Sequence, residues 1–401
     1  MAKDRLWWER DDLGYREGRL HIGGRDLATL VAASGTPTYV YSSVRVRDNL
    51  ERLRAALGAH GVEHDVYYAI KANRYAPLVT YLKLLGRCGI DACSPNEVRY
   101  ARQIGFEENE ISYTGNSTSE ADLEVLQAHP GVLVNCDALS TIRRLGRRCP
   151  GRTIGIRFNP EQGAGYNDQL RYAGEKPTKF GVYRDRFDEA LALAREAGLH
   201  VKRLHFHMGS GYLGSALDVF ESVLERVAAL LDAHPDIRTV NVGGGLGLRL
   251  AEADVPVDVE RWAALVARHL GSRGVRVQVE PGDYLVKDAS VLLVRVNTVE
   301  DKAGTRFVGV DAGLSIQNLH AYYKVPYVFA PLRRAAGATE RVTIAGNNNE
   351  AIDVFGEDVE LPPVAEGDVL ALLNTGGYGA AAASNHCMRG EFREYLLLGD
   401  G

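Results

Sequence analysis

The sequence has no apolar run approaching the roughly 18 residues that a membrane-spanning helix needs, so nothing in it reads as a membrane span. It has no excess of one charge either. The 47 basic and 52 acidic residues are intermixed, for a net −5, which argues against a nucleic-acid or polyanion surface. Cysteines are few: five in 401 residues, odd in number and without metal-ligand spacing. They read as buried or free thiols of a reducing cytoplasm, with no metal site. The opening Met1-Ala2-Lys3-Asp4-Arg5 leads into charge rather than a signal-peptide core, which also points to the cytoplasm. Internal repeats and low-complexity linkers are missing as well.

What is present is ordinary soluble-protein material, 45% apolar and 25% charged. The length is too great for one average domain and suits two, or a barrel with an appendage. From residue 38 to 284, short β-rich runs alternate with amphipathic helical stretches. Eight runs read as strands: Asp65–Ile70, Gly89–Cys93, Ile111–Thr114, Val132–Asn135, Thr153–Phe158, Lys202–His207, Thr239–Val242 and Val275–Glu280. Between them, Ala216–Ala233 repeats Val219, Phe220, Val223, Val227, Leu230 and Leu231 at helical spacing. Ser117-Thr118-Ser119-Glu120 fits a capping box ahead of another helix. Eight strands with intervening helices match an α/β fold of the (β/α)₈ type better than an open doubly wound sheet.

Beyond residue 285 strands follow one another with little helix: Val291–Val296, Arg306–Val310, Arg341–Ile344 and Asp368–Leu373. Two more, around Leu20–Ile22 and Thr38–Tyr41, lie in the N-terminal arm. The expected organisation is a barrel over 38–284 and an all-β domain built from 1–37 and 285–401. The Gly-, Asn- and Pro-containing segment Asn159–Lys179 is the longest loop and a candidate lid.

A barrel of this kind places its chemistry just after its strand ends. Lys71, Asp91, Arg157, His207, Gly243-Gly244-Gly245 and Glu280 all fall at or near such ends. A lysine after a strand is ordinarily a solvated cap; on a barrel rim it can form a Schiff base with a carbonyl cofactor. The glycine run can bring backbone amides close to a phosphate, although ordinary glycine turns look the same. A carboxylate at Glu280 is either a salt-bridged rim residue or a partner for a protonated pyridine ring, the arrangement that favours decarboxylation. His207 reads equally as a ring stacked on a planar cofactor or as a satisfied core histidine.

Taken together, Tyr67-Tyr68-Ala69-Ile70-Lys71-Ala72-Asn73, His205-Phe206-His207-Met208-Gly209-Ser210, Gly243-Gly244-Gly245, Glu280-Pro281-Gly282 and Gly376-Gly377-Tyr378 resemble the diaminopimelate/ornithine decarboxylase family. These are fold-type III pyridoxal-phosphate enzymes, with an alanine-racemase-like barrel and a β domain. The resemblance implies that pyridoxal 5'-phosphate binds covalently to Lys71 and that His207 stacks on its ring. It further implies that Ser210, Gly243–Gly245 and Tyr378 hold the phosphate, and that Glu280 pairs with the ring nitrogen. Asp91 and Arg157 would stand behind the cofactor. The implied partner is an amino acid substrate and the implied assembly a homodimer with shared sites, the Asn349 loop of one copy reaching the other's barrel.

Three departures stand out. Asn349 replaces the cysteine expected to return a proton to Cα, and an amide cannot do this as a thiol can. Asp283 and Leu319 replace two arginines expected to contact phosphate or a distal carboxylate, which removes bidentate recognition. Tyr323, Glu350 and Asp353 are kept, and with Asp283 and Asn349 they are the expected substrate contacts. The departures point to decarboxylation of a modified or conjugated amino acid, since a distal carboxylate would face Asp283 unpaired. The alternatives are an ordinary diaminopimelate decarboxylase with Arg249 or Lys324 as replacement cations, and a catalytically silent cofactor-binding relative.

Overall fold

In this computed structural model the described residues are 5–174, 176–335 and 337–399. Residues 1–4, on which the expectation of a charged N-terminus partly rests, lie outside them. All eight expected barrel strands form: β1 (His64–Ala69), β2 (Gly89–Ala92), β3 (Ile111–Tyr113), β4 (Leu133–Cys136), β5 (Thr153–Arg157), β6 (His200–His205), β7 (Thr239–Asn241) and β8 (Arg276–Val279). Each pairs in parallel with the next, and β8 returns to β1 through Val277–Val279 against His64–Val66, closing the ring. Closure leaves no edge strand in the barrel.

The helices cover the outside because one face of each is apolar. In the helix Leu217–Ala233, Phe220, Val223, Leu224, Val227, Leu230 and Leu231 are buried against the barrel. Phe220 stacks on Trp262 of the helix Val259–His269, with centroids 5.7 Å apart. The helix Glu120–Ala128 is capped by Ser119, whose reciprocal partner is Asp122 rather than Glu120.

The second body is an all-β sheet in the order Phe329–Pro331, Val369–Leu373, Ser290–Lys302, Thr305–Val310, Glu340–Ala345 and Val354–Leu361. The strand Thr38–Ser42 joins it, antiparallel to Ser290–Leu293 and parallel to Arg393–Leu397. An N-terminal meander of Leu13–Arg16, Arg19–Ile22 and Arg25–Asp26 leads into the helix Leu27–Ser34. Leu13, Leu20, Ile22, Leu27 and Val31 bury themselves against Val291, Leu293, Ala371 and Leu373, so the arm completes the C-terminal sheet. No described helix is long and apolar enough to cross a membrane.

Candidate active site

The platform for Lys71 is set by the turn that leaves β1. The chain bends through Ile70–Ala72, and Asn73 then locks the exit. Its side-chain oxygen accepts the N–H of Tyr75 at 2.9 Å, and its amide donates to the carbonyl of Gly376 at 2.9 Å. The N–H of Tyr378 donates to the carbonyl of Ala72 at 2.7 Å. The Gly376-Gly377-Tyr378 turn of the second body is therefore hydrogen-bonded to the residues flanking Lys71. Tyr378 sits there at φ +59, a left-handed conformation costing a non-glycine residue roughly 1 kcal/mol. Lys71 projects into the barrel mouth, its side chain 38% exposed, with Nζ 3.7 Å from the Asp91 carboxylate at the end of β2. Burial works against its charge, but the fields of Asp91 and Tyr378 prevail and raise its pKa above the ordinary lysine value.

Beneath the mouth the barrel is filled by a polar column rather than by the branched aliphatic layers common in such barrels. Gln278 donates to the Tyr67 hydroxyl, Arg203 to the Asn135 side chain, and Asn135 to Ser112 and Thr114. At the top stands Glu280, the first residue after β8 and 5% exposed. It accepts from Ser112 Oγ at 3.1 Å, Asn241 Nδ2 at 2.6 Å and His205 Nε2 at 2.9 Å. Burial alone would raise its pKa; the hydrogen bonds from His205 and Asn241 and the charge of Lys71 outweigh burial and hold it below the ordinary carboxylate value. Burial keeps His205 below its ordinary value, so we read the pair as a carboxylate facing a neutral imidazole that donates Nε2–H. Asp91 is pushed the other way, first by burial and then by the charge of Glu280, and its Oδ1 has no hydrogen-bond partner among the described residues.

Above this column the loops after β6 and β7 interlock. Gly243 and Gly245 have positive φ, and a Cβ on Gly244 or Gly245 would run into the carbonyl oxygens of Glu280 and Gly209. Only glycine lets these three backbones approach so closely. His207 lies two residues beyond β6 and accepts the N–H of Gly209 on Nδ1 at 3.2 Å, which leaves the proton on Nε2. Burial, with the charges of Lys71 and Arg157, holds it well below its ordinary pKa and therefore neutral. Ser210 is pinned through its backbone to Leu170 and Tyr166, so the Asn159–Lys179 loop is stitched to the loop after β6. That loop carries Tyr172, whose ring lies 5.0 Å from His207 and 5.1 Å from Phe180. Arg157, the last residue of β5, is 7% exposed and stacks on Phe180 at 4.5 Å.

The expected substrate contacts divide. Asp283 is largely buried, and Lys287 Nζ lies 2.9 Å from its Oδ2. Tyr323, at the end of the helix Leu319–Tyr323, accepts the Asn167 amide on its carbonyl at 2.7 Å, joining that corner to the candidate lid. Asn349 is exposed, and Glu350 bonds His386 at 2.7 Å. Asp353 is 3% exposed, and its two oxygens accept the N–H groups of Leu314 and Asn348, both at 2.7 Å. Its chemistry in this chain is therefore that of a loop anchor rather than a free ligand-binding carboxylate. Arg249 stacks on Trp7 at 4.8 Å and donates to the carbonyl of Glu252, so its guanidinium is already engaged.

Sequence reasoning overlooked His205, Ser112 and Asn241, the three donors to Glu280. It also overlooked Tyr172 and Lys287. For Lys287 a signal was available: an opposite charge four residues after Asp283.

The arrangement fits pyridoxal phosphate on its own chemistry. A lysine amine, an ionised buried carboxylate, a neutral imidazole and a glycine cradle converge on one mouth. Comparison with known proteins agrees. Residues 44–287 match the family model described as "Pyridoxal-dependent decarboxylase, pyridoxal binding domain". The chain is 34% identical over 395 residues to the diaminopimelate decarboxylase of Methanothermobacter thermautotrophicus, covering 95% of this chain and 91% of that one. It is 31% identical over 402 residues to the Streptomyces coelicolor enzyme of the same name, covering 94% and 88%. The solved structure of diaminopimelate decarboxylase from M. jannaschii in complex with L-lysine superposes with a TM-score of 0.88 at 28% identity, covering 96% and 93% of the two chains.

Proposed function

The chain belongs to the pyridoxal-dependent decarboxylases, and from that premise we propose that it removes one carboxylate of meso-diaminopimelate, releasing CO₂ and lysine. Pyridoxal phosphate, when bound, supplies the electron sink for the charge left at Cα when CO₂ departs. Lys71 is the residue to hold the cofactor's aldehyde carbon, with Asp91 setting the protonation of its amine. Glu280, kept ionised by His205, Ser112 and Asn241, holds a proton at the ring nitrogen. His207 and Arg157 wall the ring, and Ser210, Gly243–Gly245 and Tyr378 take the phosphate. On the substrate side stand Tyr323, Asn349 and Glu350. We assign the Asn349 loop, which Asp353 anchors, to the barrel mouth of a second copy.

The observation that carries this substrate is the near full-length similarity to relatives named for it. The case for a modified or conjugated substrate rests on Asp283, Leu319 and Asn349 together, and Lys287, 2.9 Å from Asp283, weakens the first of the three. One observation keeps a second reading alive: Leu319, 6% exposed, stands where the family resemblance calls for an arginine. An amino acid without a distal carboxylate would need none. The test is CO₂ release by the cofactor-loaded protein on meso-diaminopimelate, lysine, ornithine and arginine, with product masses read in the same assay. Release from diaminopimelate with the mass of lysine supports the proposal. Release only from lysine, ornithine or arginine supports the second reading, and release from none with cofactor bound overturns both.

A further inference from the structure

Asp283 and Lys287 lie one helical turn apart, at the start of the short helix Asp283–Val286 and at the residue just past its end. Their side chains are 16% and 4% exposed, and Nζ sits 2.9 Å from Oδ2. The other oxygen of Asp283, Oδ1, is buried without a hydrogen-bond partner among the described residues. It is not remote from the site. Gly377 passes directly over it, so that a Cβ there would collide with Oδ1, and the N–H of Gly376 donates to the carbonyl of Lys287 at 3.0 Å. On the other side, Gly282 faces Ala69, Ala72 and the Tyr378 hydroxyl. The pair is therefore the underside of the Gly376–Tyr378 turn.

A buried carboxylate in that place is a problem for any site that takes a dianion. Left alone it would repel the incoming phosphate, and its own desolvation would go uncompensated. The ion pair as a unit is neutral. We propose that Lys287 is a positioning residue for cofactor binding, cancelling the charge of Asp283 so that the Gly376–Tyr378 turn accepts the phosphate of pyridoxal phosphate. This rests on the assignment of that turn to the phosphate. It yields an asymmetry that a merely structural ion pair does not: losing the lysine harms binding, losing the aspartate does not, and losing both restores it.

The experiment is a titration of the full-length protein, stripped of cofactor, with pyridoxal phosphate, and with inorganic phosphate as competitor. Lys287→Met is expected to weaken cofactor affinity about tenfold or more, the order of effect of one uncompensated buried charge. Asp283→Asn is expected to bind at least as tightly as the parent, and Asp283→Asn/Lys287→Met within about threefold of it. Lys287→Arg, which keeps the charge, should retain parental affinity; it and Asp283→Asn decide the matter if Lys287→Met does not fold. Equal weakening by Asp283→Asn and Lys287→Met, with no recovery in the double variant, would overturn the proposal. If the parent binds the cofactor but phosphate does not compete, the phosphate assignment fails and the proposal with it. A parent that binds no cofactor would instead overturn the pyridoxal reading itself.

Discussion

The separation between Lys71 and Asp91 sets how readily the lysine gives up its proton, and Asp91→Asn reads that out. Two unit charges 3.7 Å apart attract by about 4 kcal/mol at an effective dielectric of roughly 20. Lys71 is 38% exposed, so solvent screens part of this, and about 2 kcal/mol is a reasonable share to lose. That corresponds to a shift of about thirtyfold in the protonation equilibrium. Only the neutral amine attacks an aldehyde, so cofactor capture by the stripped protein should reach its plateau more than one pH unit lower in the variant. The assay is the pH dependence of that capture rate, followed by absorbance after mixing. A capture profile superimposable on the parent's would refute the electrostatic link between the two residues.

Four further substitutions have expected outcomes. Gly244→Ala forces a Cβ into the carbonyl of Glu280 and should cost about 2 kcal/mol or more in urea unfolding, together with cofactor affinity; Gly58→Ala, in a helix with open space around it, should be neutral or stabilising by up to about 1 kcal/mol. His205→Phe removes a donor from a carboxylate 2.9 Å away and fully buried, a loss expected at about 3 kcal/mol in the same assay, and a variant as stable as the parent would mean the pair contributes nothing. Asp288 is bound by Arg45 and Asn49, and Arg10 donates to its carbonyl; burial opposes its charge, yet Arg10 and Arg45 hold its pKa below the ordinary 3.8. Its contribution is complete above that value and lost as pH falls below it, so Asp288→Asn should be the less stable protein at pH 7, with the gap closing in acid denaturation below about pH 4.

How much of this was legible in the sequence depended on whether a residue's role is local. The eight barrel strands announce themselves because each is a short run set off from the next by an amphipathic helical stretch, and the site residues at their ends can be named from that position alone. Arg393–Leu397 was missed because it is a strand only by virtue of pairing with Thr38–Ser42, at the far end of the chain. Val354–Leu361 was missed because Gly356 and the left-handed Asp358 interrupt its pattern. His205 illustrates the limit best. Read along the chain it is an interior strand position, indistinguishable from a core histidine, whereas in the folded barrel it joins Ser112 and Asn241 in hydrogen-bonding the Glu280 carboxylate.

Asp283 shows the converse, a charge weighed without the partner that lies four residues away. Read as the replacement for an arginine, it places a bare negative charge against the substrate and so excludes a second carboxylate. A charge has meaning in a folded protein only with its neutralising partners counted, and at the underside of the Gly376–Tyr378 turn the count comes to zero. A substitution that reverses the charge of one residue can therefore leave the charge of a site unchanged, provided a lysine lies within one helical turn. Substrate range argued from single replaced residues inherits this weakness. Here Leu319, which brings no compensating charge of its own, is the better guide to what the site admits, and the diaminopimelate assay weighs that position directly.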